Sequence, residues 1–332
     1  MDRQWNDKIF TADSSRFEQL ALEIFRFQYD ANPLYQLYCD TLGRTPANTP
    51  NISEIPFLPI RFFKTHIVKT TAFEPQAIFE SSGTTGSVNS RHHVRDLGIY
   101  EESFTRGFEM FYGPLKELVI LGLLPSYLER TNSSLVYMVD QLIRLTPNPR
   151  SGFYLHNTDE LFQTLQELEE KEQKTLLIGV TFALLDFAAS HPLALRNTML
   201  METGGMKGRR KEMVRQEVHD IMRDAFHIPA VHSEYGMTEL LSQAYSKADG
   251  IFYCPPWMKV LIRDEEDPRA LLFADDLNAP RSGAVNVIDL ANVYSCSFIA
   301  TDDAGKLYPD GGFEILGRLD NSDLRGCSLL TI

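Results

Sequence analysis

Residues 77–93 read AIFESSGTTGSVNSRHH. Ala77-Ile78-Phe79 is apolar and long enough for a short strand. It runs without a break into Ser81-Ser82-Gly83-Thr84-Thr85-Gly86, which carries four hydroxyls, two glycines and no charge. Gly83 and Gly86 let the backbone bend and bring its N–H groups close to a ligand. The hydroxyls add neutral donors of the kind that surround phosphate oxygens. The lysine of a P-loop, GxxxxGK[ST], is missing, so the charge to meet a phosphate must come from elsewhere, and a divalent cation is the natural source. An ordinary polar turn has the same composition, and the loop alone does not separate the two readings.

Outward from this loop, the periodicity alternates. RFEQLALEIFRFQYD, residues 16–30, spaces its apolar side chains as a helix, and the Pro-rich TPANTP and EIPFLPIRFF then mark an extended entry. EESFTRGFEMFY reads as a helix. LVILGLL, SSLVYMV, TLLIGV and NTMLME are apolar and strand-length, whereas TDELFQTLQELEEKEQ and RRKEMVRQEVHDIMRDAF are helix-length. In the last of these Val214, Val218, Ile221 and Met222 fall on one face. Alternation of this kind predicts an α/β fold with mainly parallel strands flanked by helices. Beyond residue 246 the texture becomes strand-and-turn, in IFYCPPWMKVLIRD, GAVNVIDL, CSFIATDDAGKLY and GGFEILGRL. The expected organisation is an α/β core over 1–245 and a β-rich region over 246–332.

Length and charge narrow the function. A chain of 332 residues with 43% hydrophobic side chains builds a large packed core, and a formal charge of −13 repels nucleic acid and anionic lipid. Neither is therefore expected as a main partner. Cys39, Cys254, Cys296 and Cys327 form no CxxC pair, a usage that suits a reducing cytoplasm and excludes the common zinc spacings. The opening MDRQWNDKIF lacks an apolar signal core, and the longest apolar runs are too short to span a bilayer.

Three further segments carry chemistry. HSEYGMTEL, His232 to Leu240, offers an aromatic face at Tyr235, a turn at Gly236, a hydroxyl at Thr238 and a carboxylate at Glu239. The last two make a half-site for Mg²⁺, which keeps most of its shell as water and phosphate oxygen, and Tyr235 can stack on a purine. A solvated helix start reads the same way. METGGMKGRR, from Met201, ends a strand at Glu202 and passes through Gly204-Gly205 to Lys207, Arg209 and Arg210; basic residues there oppose the helix dipole and suit an anionic ligand or simply solvent. ATDDAG places Asp302 and Asp303 after a strand, where a carboxylate can accept from two ribose hydroxyls or merely form a turn.

The order of these segments resembles the acyl-adenylate-forming enzymes: SSGTTG, then GG, then YGMTE, then TDDAG, then GR-x-D at Gly317-Arg318-Leu319-Asp320. IPFLPIRFFKTH, METGGMKGR and the ending LRGC narrow the resemblance to the acyl-protein synthetase (LuxE) family, across nearly the whole chain. The resemblance implies that Ser81, Ser82, Gly83, Thr84, Thr85 and Gly86 wrap the outer phosphates of ATP. It further implies that Gly204 and Gly205 border the adenine, with Tyr235 and Gly236 beside it, that Thr238 contacts the α-phosphate, and that Glu239 holds Mg²⁺. Asp303 matches the ribose-binding aspartate, although Asp302 replaces the glycine before it, and Arg318 matches the arginine of the GR motif.

By the same resemblance a fatty acid is activated to acyl-AMP, the acyl group passes to Cys327, and a partner protein such as an acyl reductase receives it. Relatives that use CoA carry a small C-terminal subdomain with a catalytic lysine after the GR-x-D hinge; this chain ends about a dozen residues past that hinge, so the subdomain is expected to be absent. Lys64, Lys207 and Arg209 remain as stand-ins. His92, His93 and His232 are expected to support the site from behind. The alternatives are an acyl- or aryl-CoA ligase of the phenylacetate-CoA ligase type, and a nucleotide-binding protein without turnover.

Overall fold

The computed structural model describes residues 4–81, 88–124, 132–155, 157–204, 213–267, 270–272 and 279–319. The chain opens with three helices, α1 (Gln4–Phe10), α2 (Phe17–Ala31) and α3 (Pro33–Thr41). α2 buries Phe17, Leu20, Ala21, Ile24, Phe25 and Gln28, the stripe its periodicity predicts. The Pro-rich entry supplies the two-residue strand β1 (Leu58–Pro59) and the short helix α4 (Phe62–Thr65). Next come β2 (Ala77–Glu80) and β3 (Arg91–Val94), an antiparallel pair with Phe79 opposite His92, so the hydroxyl-rich segment is the connection of a hairpin.

Helix α5 (Leu97–Tyr112) starts at Asp96, whose side chain accepts from the Gly98 N–H at 2.9 Å. Strands β4 (Val119–Leu123), β5 (Gly152–Phe153), β6 (Thr175–Gly179), β7 (Thr198–Glu202) and β8 (His232–Tyr235) then alternate with helices α6 (Ser134–Arg144), α7 (Thr158–Glu170), α8 (Thr181–Ser190) and α9 (Arg215–Phe226). β4 and β6 are buried along their whole length, as strands covered on both faces must be. β5, β4, β6, β7 and β8 pair in parallel. The helical crossovers between them are what parallel pairing requires.

After β8 the connections shorten and the pairing becomes antiparallel through β9 (Ala244–Ser246), β10 (Phe252–Tyr253), β11 (Met258–Arg263), β12 (Arg281–Asp289), β13 (Phe298–Leu307) and β14 (Phe313–Arg318). Among the described residues one twelve-stranded sheet runs in the order β11-β12-β13-β14-β10-β9-β8-β7-β6-β4-β5, with β1 added in parallel to β13. The fold is thus the expected α/β arrangement of a large sheet flanked by helices. No described helix is long and apolar enough to cross a membrane.

Two local expectations need correction. SSLVYMV is not a strand: it opens α6, where the Ser133 hydroxyl accepts from the Val136 N–H and Met138, Val139 and Leu142 form the buried stripe. A short apolar run does not by itself distinguish strand from buried helix. On α9 only Val218 and Met222 of the four apolar residues are buried; Val214 precedes the helix and Ile221 faces outward.

Candidate active site

The parallel strands β7 and β8 end side by side, with Glu202 opposite Ser233, and both open into glycine-containing turns. Such carboxyl ends are where open α/β sheets bind ligands. Gly204 sits at φ +73°, the left-handed region glycine enters freely; its N–H donates to Glu202 Oε2 at 2.7 Å and its carbonyl accepts from the Thr181 N–H at 2.9 Å. Glu202 also accepts from the Thr181 hydroxyl at 2.8 Å and faces His219 at 3.8 Å. Burial alone would raise its pKa, but His219, Ser233, the Gly204 N–H and Thr181 hold it down to about 2.

Beside these strand ends, side chains from β8, β13 and β14 meet, although β9 and β10 lie between β8 and β14 in the sheet. Tyr235, the last residue of β8, donates its hydroxyl to Asp303 Oδ2 at 2.9 Å. Asp303 lies opposite Arg318 in the β13–β14 register, and the guanidinium Nε reaches its Oδ1 at 3.4 Å. Side chains alternate along a strand, so Asp302 points the other way and pairs with Arg61 at 3.1 Å. The two aspartates of TDD are therefore not equivalent. The Tyr235 ring meets Phe252 and Phe313, and burial first, then the Asp303 charge, raise its phenol pKa well above the usual value.

The Thr238–Glu239 turn is fixed from behind by buried polar side chains. His92 Nδ1 bonds the Thr238 carbonyl at 2.8 Å, and Asn292 Nδ2 donates to the Glu239 carbonyl at 2.7 Å. Asp289 accepts from the Leu241 N–H at 2.7 Å and the Ser242 hydroxyl at 2.6 Å. Burial drives the His92 pKa down to about 4, so the ring is neutral and its Nδ1 carries the proton given to Thr238. The Glu239 side chain is only 5% exposed. Burial raises its pKa, opposed by the Ser90 hydroxyl and by the charges of Arg318 and Lys64.

Ser90 ties the hydroxyl hairpin to this turn, because its N–H donates to Ser81 Oγ at 2.9 Å and its carbonyl accepts from the Ser81 N–H. Tyr235, Asp303, Arg318, Glu239, Ser90 and Ser81 are thereby linked through contacts and charge. Ser82, Gly83, Thr84, Thr85, Gly86, Gly205, Lys207, Arg209, Arg210, Asp320 and Cys327 lie outside the described residues. Thr238 and Gly236 also border a cavity of about 150 Å³ on the α5 side of β8.

Sequence reasoning missed Asn292 and Asp289. Their signal was present: an aspartate and an asparagine interrupt the apolar run VIDLANV, and both are fully buried. Polar groups buried in such a run must find partners, and here they find the site's backbone.

The model of the acyl-protein synthetase family, LuxE, matches residues 9–331. The chain belongs to this family. No curated protein matches this LuxE-family chain by sequence. Among solved structures it is similar to ATP-bound MatB from Rhodopseudomonas palustris, with a TM-score of 0.54 and 18% identity over 75% of this chain and 49% of that one. It is also similar to the luciferase-like enzyme of the nonluminescent mealworm Zophobas morio, with a TM-score of 0.50 and 16% identity over 76% of this chain and 60% of that one. These likenesses concern the fold, and the LuxE-family chain spans about half to three-fifths of the length of these two structures.

Proposed function

We propose that this LuxE-family chain activates a carboxylic acid with ATP to an acyl-adenylate and then moves the acyl group to the Cys327 thiol, for delivery to an acceptor protein. The observation that carries the reading is that Tyr235, Asp303 and Arg318, from separated strands, join in one chain of contacts whose Arg318 charge also reaches Glu239. In this reading Asp303 accepts from the ribose hydroxyls, and Tyr235 and Arg318 set its orientation. Ser81 to Gly86 enclose the outer phosphates, Gly204, Gly205, Tyr235 and Gly236 border the adenine, and Thr238 meets the α-phosphate.

Mg²⁺ fits one part of this arrangement. Among the described residues no three His, Cys, Asp or Glu side chains cluster as a metal cage, which is not what Mg²⁺ bound with a nucleotide needs. Glu239 supplies a single buried carboxylate whose charge is costly without a cation near it. It would be the protein ligand, with phosphate oxygens and water completing the shell. Bound there, the ion would supply positive charge beside the departing pyrophosphate.

Little acid–base equipment is needed. A carboxylate is already ionised near neutral pH, so one of its oxygens attacks the α-phosphorus directly. The bond from that phosphorus to the bridging oxygen breaks, and pyrophosphate leaves with the electron pair. The protein contributes alignment and charge. In the second step the thiolate of Cys327 attacks the acyl carbon and AMP departs. The other thiols are poor competitors: burial pushes Cys39 and Cys254 up to about 12 and Cys296 further still.

Incubation with ATP, Mg²⁺ and a labelled acid is expected to leave hydroxylamine-sensitive label on the protein. Cys327→Ser should carry no label while acid-dependent pyrophosphate exchange persists. Label retained on the serine variant removes the cysteine from the scheme. Rapid AMP release that needs CoA and ignores the variant would instead make CoA the acceptor.

A further inference from the structure

Two strands share one edge of β13: β1 pairs with Ile299 and Ala300, and β14 pairs with Asp303 to Leu307. Asp302 lies where they meet. Its side chain accepts from Arg61 Nε at 3.1 Å, and its carbonyl accepts from the Leu319 N–H at 2.8 Å. The residues that follow β1 therefore come to the end of β14, next to Arg318. They form α4, which at four residues is too short to hold itself together. Aromatic contacts hold it instead. The buried Phe63 ring stands edge-on to His92 of β3, with centroids 5.8 Å apart, and Phe62 packs on Tyr38 at 5.9 Å. Strand β3 is the return strand of the hydroxyl-rich hairpin, and His92 is the ring that bonds the Thr238 carbonyl. Phe63 thus seats α4 against both the hairpin and the Thr238–Glu239 turn.

Lys64 follows Phe63 and is exposed. Its basic neighbours are spent: Arg61 pairs with Asp302, Arg318 with Asp303, and Lys69 donates to the Phe73 carbonyl. Among the described residues no hydrogen bond or ion pair holds the Lys64 ammonium. Burial raises the Glu239 pKa, and the Lys64 charge is among those that pull it back, so the free cation lies within reach of that carboxylate. We infer that Lys64 meets the outer phosphates of ATP and stays with the pyrophosphate as it leaves, supplying a cation that the hydroxyl-rich hairpin lacks. The inference rests on the acyl-adenylate reading, which puts those phosphates at the hairpin. Ser81 to Gly86 carry no charge, so without a cation from another segment the hairpin would offer the phosphates neutral donors alone. An ammonium on a flexible stem, with three donors, can follow phosphate oxygens as the bridging bond breaks. No proton moves: the electron pair leaves with pyrophosphate, and Lys64 keeps its hydrogens and stabilises the charge.

The test is calorimetric titration of Mg·ATP, Mg·pyrophosphate and AMP into the full chain as wild type, Lys64→Met and Lys64→Arg, with acid-dependent pyrophosphate exchange measured in parallel. Lys64→Met keeps the stem and loses the charge. It should bind Mg·ATP and Mg·pyrophosphate about ten-fold or more weakly, the loss expected for a hydrogen bond between charged groups, and AMP as wild type does. Lys64→Arg should recover most of that loss. Exchange at saturating ATP should also fall about ten-fold in Lys64→Met, with the melting temperature unchanged. Wild-type affinity for Mg·pyrophosphate in Lys64→Met overturns the inference. So does an equal loss for AMP, or an arginine variant no better than the methionine one. Full exchange in Lys64→Met would sink the role of Lys64 and leave adenylate formation standing. Lysine-dependent binding of Mg·pyrophosphate with no exchange in wild type would uphold the phosphate contact and sink adenylation, and a wild type that binds none of the three ligands overturns both.

Discussion

Asp303 receives a phenol on one oxygen and a guanidinium on the other, so its orientation is fixed by the protein's own side chains. Hydrogen bonds to a charged group contribute about 1.5–3 kcal/mol. Tyr235→Phe is therefore predicted to weaken ATP binding by about ten-fold while leaving acid binding unchanged, as separate titrations would show. Glu234 gives a second prediction at this scale. Its folded pKa is raised from 4.5 to about 8, so the folded chain binds the extra proton and the associated stability is present below about pH 4.5 and lost as pH rises through about 8. Glu234→Gln removes that slope, and its melting temperature should gain on wild type steadily between about pH 5 and pH 8; a pH-independent gap contradicts the assigned burial. Asp303 and Arg318 were legible in the sequence because motif order singled them out. The state of Glu234 was not, since it depends on Tyr100, Tyr112, Tyr245 and Glu202 packed around it from other elements.

The Thr238–Glu239 turn shows how elements hold a site. Donors from β3 and from the turn after β12 take the carbonyls of two consecutive residues, and Asp289 takes the next two donors along the chain. Asn292→Leu leaves the Glu239 carbonyl buried and unpaired, at a cost of about 1–3 kcal/mol. Pyrophosphate exchange should fall at least ten-fold, with a lowered melting temperature; unchanged exchange would mean the turn is held by other contacts. Ser133→Ala removes the cap of α6 and should cost about 1 kcal/mol by denaturant titration. Helices α2, α5 and α7 were legible because their apolar spacing is regular over three turns or more. α6 was not, because its first seven residues look like a strand until Ser133 is recognised as a cap.

Across the whole molecule, the sheet changes from parallel to antiparallel at β8 and β9, and the site straddles that change. The N-terminal helices are bound into the same body: Gln28 on α2 donates to the carbonyls of Asn292 and Val293 and accepts from the Ser297 N–H. Helix α2 therefore braces the segment that anchors Glu239. Acid should loosen this assembly at the other side of the site. The stability that Glu202 draws from its partners is fully present above about pH 4.5 and is lost as pH falls toward about 2. Glu202→Gln should flatten the acid limb of the stability profile. The α/β layering was visible in the alternation of segments. The brace through Gln28 was invisible, because its partners lie more than 260 residues away.

The central claim is that separated segments grip one Mg·ATP so that an acid can displace its two outer phosphates. Acid-dependent exchange of labelled pyrophosphate into ATP measures this directly, in wild type, Asp303→Ala and Glu239→Gln. The account predicts exchange in wild type that requires both Mg²⁺ and a carboxylic acid and falls at least a hundred-fold in each variant. Exchange that survives in both folded variants, or that proceeds without acid, would contradict it.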